Sequence, residues 1–237
     1  MPVPSDPHIS VVIPVHNEEA YVTDAIDELM KDLASVPSEV TVTLVENGST
    51  DRTAELVEAS MATHPHVRLL RSPEPDYGAA MRLGFLAADG DWVVNFDIDY
   101  FSADFLRDVL DHDEADLVLA SKRAEGADDR RGMVRRLATW TFNKILRFVL
   151  HSTVSDTHGM KAVRREVVQA LTPLVRSTQD LFDTELVIRA ERAGYRIVEV
   201  PALVEERRPA KSSLLKRVPR TLRGVWRLRR ILAEETS

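Results

Sequence analysis

Asp97-Ile98-Asp99 is the segment of this chain whose residue types are best suited to chemistry. Two carboxylates one residue apart at a strand end are merely solvated while the strand continues, but if the chain turns there both can approach one cation. Oxygen ligands of this kind suit Mg²⁺ or Mn²⁺, hard cations that keep several waters and complete their shell with substrate phosphates. A cation held in this way offsets the charge that develops on a departing diphosphate. Taken alone, the three residues read equally as a solvated acidic turn, so the surrounding elements must decide.

Those elements alternate. Residues 8–15 carry Ile9, Val11, Val12 and Ile13 before Pro14, the mark of a buried strand opening into a loop. A helix over 20–33 places Ala25, Ile26, Leu29 and Leu33 at helical spacing. Residues 40–45 form a β-branched strand, and Asn47-Gly48-Ser49-Thr50 a turn whose Ser49 or Thr50 can cap a helix over 54–61. A short strand at 67–70, an Ala-rich helix over 78–88 and a strand at 91–96 follow. This strand–helix order predicts an α/β layer with a largely parallel sheet, whose ligands bind beyond the carboxyl ends of the strands. Glu46-Asn47 and Asp97-Ile98-Asp99 both fall there. Further on, the pattern gives a strand at 117–120, an amphipathic helix over 137–150, a helix over 179–193 closed by Gly194, and a strand at 195–200 stopped by Pro201. Trp140, Phe142 and Phe148 read as core or groove packing. The lone histidines His16, His151 and His158 read as structural.

Composition narrows the chemistry. The 237 residues are 44% hydrophobic and 29% charged, ordinary globular usage with room for one large core. With no cysteine in the chain, thiolate zinc sites, disulfides and cysteine nucleophiles are excluded, and any metal is held by oxygen or imidazole. No stretch approaches the roughly 18 apolar residues of a spanning helix, and the first ten residues lack a secretory apolar region. Net charge is −7, yet the run from Arg207 to Arg230 is rich in Arg and Lys and contains no acid. Within it Leu214, Leu215, Val218, Leu222, Val225, Trp226 and Leu228 intersperse with the bases, and Pro219 interrupts the first turns. The natural reading is an interfacial helix on an anionic membrane surface, the alternative being a solvated helix packed on the domain or on a partner. Nucleic acid is not expected, since no base-reading motif accompanies the basic run.

A set of motifs adds to these residues. Pro14-Val15-His16-Asn17-Glu18-Glu19, Glu46-Asn47-Gly48-Ser49-Thr50-Asp51, the segment from Pro75 to Gly84 and Asp97-Ile98-Asp99 resemble, in order and spacing, the family 2 glycosyltransferases of the GT-A fold. Within that family the polyprenyl-phosphate (dolichyl-phosphate) mannose and glucose synthases look most similar. The likeness continues through Ala120-Ser121-Lys122-Arg123, the segment from Ser155 to Lys161, Asp183-Thr184-Glu185-Leu186, the segment from Ala193 to Pro201 and Glu206-Arg207-Arg208, and so covers nearly the whole chain. The resemblance implies a mixed α/β sheet flanked by helices and a nucleotide-sugar donor, GDP-mannose or UDP-glucose. Pro14, Asn17 and Glu18 would border the nucleotide, Glu46 would contact base or ribose, and Gly78 and Arg82 would lie on the donor side. Asp97 would sit near ribose and metal, with Asp99 a direct ligand, while Arg207 or Arg208 would close over the donor. Four positions depart from the family pattern. Glu46-Asn47 stands where paired Asp is usual, Asp76-Tyr77-Gly78 replaces a Gly-Lys-Gly, Phe101 occupies a frequent Gln position, and Lys161 stands in place of an Arg.

The acceptor is a separate question. A phosphate monoester, with a second pKa of about 6, is already a nucleophile near neutral pH and needs no general base. An alcohol would need one, and Asp180 and Asp183 are the candidates, although both read equally as acids at a helix N-terminus. Lys122 and Arg123, with Arg130, Arg131, Arg135 and Arg136, supply cations for phosphate oxygens or form a solvated basic face. The expectation is a tail over 1–8, a GT-A domain over 9–209 and a basic segment over 210–237. It would be an inverting hexosyltransferase acting on polyprenyl phosphate, peripheral to the cytoplasmic face, with a separate membrane protein as a further partner. The competing readings are transfer to a soluble or glycan hydroxyl and a non-catalytic sugar-nucleotide-binding or scaffold protein.

Overall fold

The computed structural model of the chain describes residues 7–129, 133–157, 159–204 and 214–235. Alternating burial sets its sheet. In β1 (Ile9–Val15), Ile9, Val11, Ile13 and Val15 enter one apolar layer and Val12 the other, and in β4 (Trp92–Asn95) Trp92 and Val94 join the first layer while Val93 joins the second. Strands covered on both faces read as apolar runs rather than alternations, and these do.

Seven strands form the sheet, in the order β3, β2, β1, β4, β7, β5, β8, with β2 (Val40–Asn47), β3 (Val67–Ser72), β5 (Leu117–Ser121), β7 (Lys161–Arg164) and β8 (Ile197–Pro201). All neighbours are parallel except β7, which runs antiparallel to both β4 and β5. A two-residue pair, β6 (Asp128–Asp129) with β9 (Leu203–Val204), lies apart. Helices α1 (Val22–Leu33), α2 (Thr53–Met61) and α4 (Ala103–Asp111) cover one face, and α3 (Tyr77–Ala87), α6 (Arg165–Leu171) and α7 (Phe182–Arg192) the other. The α/β reading holds, with a mixed sheet.

Helix α3 approaches the sheet closely because Gly84 has no side chain. A Cβ there would lie 2.3 Å from Val12 Cγ1 and 2.9 Å from Val45 Cγ2, both buried on central strands. Overpacking of this kind costs about 1–3 kcal/mol, whereas the helix-propensity gain of Ala over Gly is at most about 1 kcal/mol. Gly84→Ala should therefore lower the urea midpoint, and an unchanged or raised midpoint would contradict the close packing.

A smaller apolar cluster joins α5 (Met133–Leu150), α7 and α8 (Leu214–Glu234) through Leu146, Leu150, Ile188, Val225, Leu228 and Leu232. Helix α8 is continuous through Pro219 rather than interrupted there. Val225 and Leu228, read from the sequence as membrane-facing, are fully buried against the domain. Burying each such side chain is worth about 1.5–3 kcal/mol, more than the roughly 1 kcal/mol that one basic residue gains at an anionic surface, so this face stays docked. Arg189 adds a two-pronged ion pair to Glu235 at 2.7 and 3.0 Å. Trp226 remains outside, as do Trp140 and Phe148 on α5, which are therefore surface residues and not core.

Candidate active site

The chain does turn after β4. Asp97 N donates to Tyr100 O at 3.1 Å and Tyr100 N donates to Asp97 O at 3.0 Å, while Ile98 between them is buried in the core. Anchoring Ile98 inward leaves Asp97 and Asp99 at the carboxyl end of the sheet. Asp97 is exposed to water yet crowded by its neighbours. Partial desolvation by that crowding, with the charges of Asp183 and then Asp99, pushes its carboxyl up to about 6, while Lys161 and Lys122 pull the other way. Water on the open side tempers the effect without changing its direction. Crowded, oxygen-only and net negative, the cluster fits a divalent cation, with Asp97 and Asp99 to hold it. Among the described residues no group of three His, Asp or Glu converges on a metal position. Phe101, where a Gln ligand is frequent, is packed in the core. The rest of a metal shell here would fall to donor phosphates and water.

Beside Asp97 lies a buried ionic group. Lys161, on β7, is 1% exposed and donates to Asn95 Oδ1 and to Gly159 O, both at 2.9 Å. Its ammonium faces Asp183 Oδ1 at 3.1 Å as an ion pair without hydrogen-bond alignment, and Tyr77 Oη donates to Asp183 Oδ2 at 2.8 Å. Burial, then the charges of Asp183 and Asp97, push the Tyr77 hydroxyl well above its usual range, so it stays a proton donor to the carboxylate. Lys122 forms a second enclosed pair, with Asp156, at 2.9 Å. Gly159, at φ 144, allows this approach, because a Cβ would lie 3.3 Å from Lys122 Nζ and 3.1 Å from Ala120 O.

The nucleotide side is built from the loops after β1 and β2. Parallel register sets Pro14 beside Val45 and Val15 beside Glu46. Asn17, at φ 53, donates its N–H to Ser49 Oγ at 3.0 Å and accepts from Thr50 N at 2.9 Å through Oδ1. Glu18 N donates to Thr53 Oγ1 at 2.8 Å, and Glu46 accepts from Ser49 N. These bonds tie Pro14, Asn17, Glu18 and Glu46 into one wall. Ser49 serves Asn17, not the helix; Asp51 caps α2, accepting from Thr53 N at 3.0 Å. Asn47 is buried and its Oδ1 has no partner among the protein groups, which leaves an acceptor for a ligand N–H.

The remaining expected residues are placed less centrally. Gly78 is buried against Thr178 and Gln179, where a Cβ would be 2.9 Å from Gln179 N. Arg82 donates to the carbonyls of Thr172, at 2.7 Å, and Val175, so its guanidinium clamps the turn after α6. Arg123 is exposed. Asp180 lies in the 3₁₀ turn Gln179–Leu181, and its side chain is outside the described residues, as are Arg207, Arg208, Arg130, Arg131 and His158. His16 is structural in role, its Nδ1 within 2.9 Å of Asn47 O. Sequence reasoning gave no role to Tyr77 or Asn95. Their only signal was position, at the start of a helix and the end of a strand that face the same cleft.

A wall of loops after the first two strands, a paired carboxylate turn after the fourth strand and one antiparallel strand within a parallel sheet match the GT-A architecture. Residues 10–172 match glycosyl transferase family 2, and the chain belongs to that family. It is 29% identical over 93% of its length to the glycosyltransferase AglD of Haloferax volcanii, of which it spans 37%. It is likewise 29% identical to the dolichyl-phosphate hexose transferase of the same organism, with 84% of this chain and 83% of that protein covered. A solved structure of glucosyl-3-phosphoglycerate synthase from Mycobacterium tuberculosis, in complex with Mn²⁺, UDP and glucosyl-3-phosphoglycerate, superposes with a TM-score of 0.69. That match covers 94% of this chain and 78% of the other at 24% identity.

Proposed function

We propose that the chain is an inverting, divalent-metal-dependent hexosyltransferase that moves glucose or mannose from a nucleotide-diphosphate sugar to polyprenyl phosphate at the cytoplasmic face of a membrane. Its domain would span 9–209 and its basic segment 210–237. The observation that carries the acceptor class is the state of Asp183. Of the two carboxylates that could deprotonate an alcohol, this one is 5% exposed and held by Lys161 and Tyr77. A base must come within hydrogen-bond reach of the proton it takes, and this carboxylate is enclosed, with one oxygen accepting from Tyr77 and the other facing the Lys161 ammonium. A phosphate oxygen needs no such base. The dolichyl-phosphate name of a relative supports the same class.

In this reading an acceptor phosphate oxygen attacks the anomeric carbon while the bond from that carbon to the diphosphate breaks, and the nucleoside diphosphate leaves with the electron pair. A cation held by Asp97 and Asp99 supplies Lewis-acid stabilisation of that leaving charge. Asn17, Glu18 and Glu46 fix the nucleotide, and Lys122, held by Asp156, places a positive charge beside the centre. The reading is tested by incubating the protein with Mg²⁺ or Mn²⁺, polyprenyl phosphate and either labelled UDP-glucose or labelled GDP-mannose. Label should pass into the organic phase from one donor; failure with both sinks the proposal. A separate membrane protein would be a further partner, moving the lipid product on; among the described residues no helix is long and apolar enough to cross a membrane.

A further inference from the structure

Two cavities flank α8 and share a pair of arginines. The first, of about 340 Å³, lies between α8 and residues 176–181, where Arg176, Ser177 and Thr178 face Arg223 and Arg227. The second, of about 490 Å³, opens along the same helix, where Arg223 and Arg227 meet Leu222 and Trp226. Among the described residues no carboxylate forms an ion pair with Arg176, Arg223 or Arg227; Glu185 is engaged by Arg189 and the 176–177 backbone, and Glu235 pairs with Arg189 while also feeling the charge of Arg176.

The arrangement is built into the fold. A Cβ on Gly224 would lie 2.1 Å from Leu181 Cδ1, so glycine lets α8 seat directly on the 176–181 loop with Arg223 beside the contact and Arg227 one turn further on. The other side of that loop meets the catalytic half, since Gln179 N donates to Asp76 Oδ1 at 3.1 Å and Thr178 packs on Gly78. Neither cavity is lined by Asp97, Asp99, Lys161 or Asp183. An anion bound there is not the reacting phosphate.

Convergent guanidinium groups with hydroxyl neighbours suit phosphate oxygens, and an adjoining wall of leucine and exposed tryptophan suits a chain that leaves the phosphate into an apolar phase. We propose that this paired cavity binds the phosphate headgroup of an anionic membrane phospholipid. Arg176, Arg223 and Arg227 hold the phosphate, Leu222 and Trp226 receive the first methylenes, and the membrane surface is thereby fixed against the 176–181 loop. The inference rests on the membrane-facing part of the proposed function and is independent of the transfer reaction.

Calorimetry on the full chain, without donor, tests it with two probes, a short-chain phosphatidate below its micellar concentration and inorganic phosphate. The phosphatidate should bind saturably, about tenfold or more tighter than inorganic phosphate, and either Arg223→Gln or Arg227→Gln should weaken it about tenfold. Arg147→Gln, an exposed site on the neighbouring α5, should change it less than about twofold if the contacts are local rather than diffuse. Absence of saturable binding, equal affinity for inorganic phosphate, or an equal loss in Arg147→Gln would each overturn the site. Phosphatidate binding that persists in a protein unable to transfer sugar leaves the site standing and removes only the proposed function.

Discussion

Asp99→Asn should lower sugar transfer by about 1,000-fold, equivalent to roughly 4 kcal/mol of lost transition-state stabilisation, while leaving the fold intact. The effect is large because, among the described residues, no third acidic or imidazole ligand stands ready to replace it. Asp97 alone would leave the cation a single protein carboxylate. Stability is expected to change little, because Asp99 is only partly buried in a surface turn whose core anchor is Ile98. The discriminating measurement is Mn²⁺-dependent protection by UDP in a thermal melt. Wild-type protein should gain stability only when both are present, as ligand linkage requires, and Asp99→Asn should lose that gain. Equal protection in the variant would remove Asp99 from the metal site.

Lys161→Met should destabilise the protein by about 3–5 kcal/mol, because it leaves the Asp183 carboxylate enclosed without its counter-charge. An exposed pair such as Arg52–Glu55, whose side chains are 71% and 69% accessible, is worth at most about 1 kcal/mol on the same scale. The mechanism makes a second demand. Asp183→Asn in the Lys161→Met background should recover a good part of the loss, since the orphaned charge is then gone while Tyr77 Oη can still donate to the amide oxygen. Urea unfolding of the two single variants and the double variant gives the coupling directly. Additive losses would show that Lys161 acts through packing and not through Asp183.

The parallel half of the sheet could be read from the chain because its strands are apolar runs between loops, and the helices between them keep one apolar stripe. The turn that carries the two Asp was legible for a related reason: Ile98 between two Asp already implies one residue in and two out once the strand ends. Other parts were not. β7 is four residues long and consists of Lys161, Ala162, Val163 and Arg164, so its ends look like surface charge. Only the fold shows that Lys161 is enclosed by Asn95, Gly159 and Asp183, residues from three separate parts of the chain. Helix α4 was hidden by its shortness, although Ser102 caps it by accepting from Phe105 N and its apolar stripe is sound. For α8 the pattern gave an amphipathic helix but not its neighbour. The same leucines and valines suit a bilayer or α5 and α7, and periodicity does not distinguish the two.

The antiparallel strand has a consequence for how the protein is made. β4 acquires its second neighbour only when residues 161–164 arrive, about 65 residues after the strand itself has left the ribosome. Until then the nascent chain carries β1 to β4 with an apolar, unpaired edge at what becomes the middle of the sheet, the kind of edge that recruits other strands. Chains released before Lys161 would therefore expose Trp92, Val93 and Val94 as a pairing template. The same four residues that close the sheet bring in the buried ammonium, whose partner Asp183 follows only later in the chain, so the charge is balanced after the strand is paired.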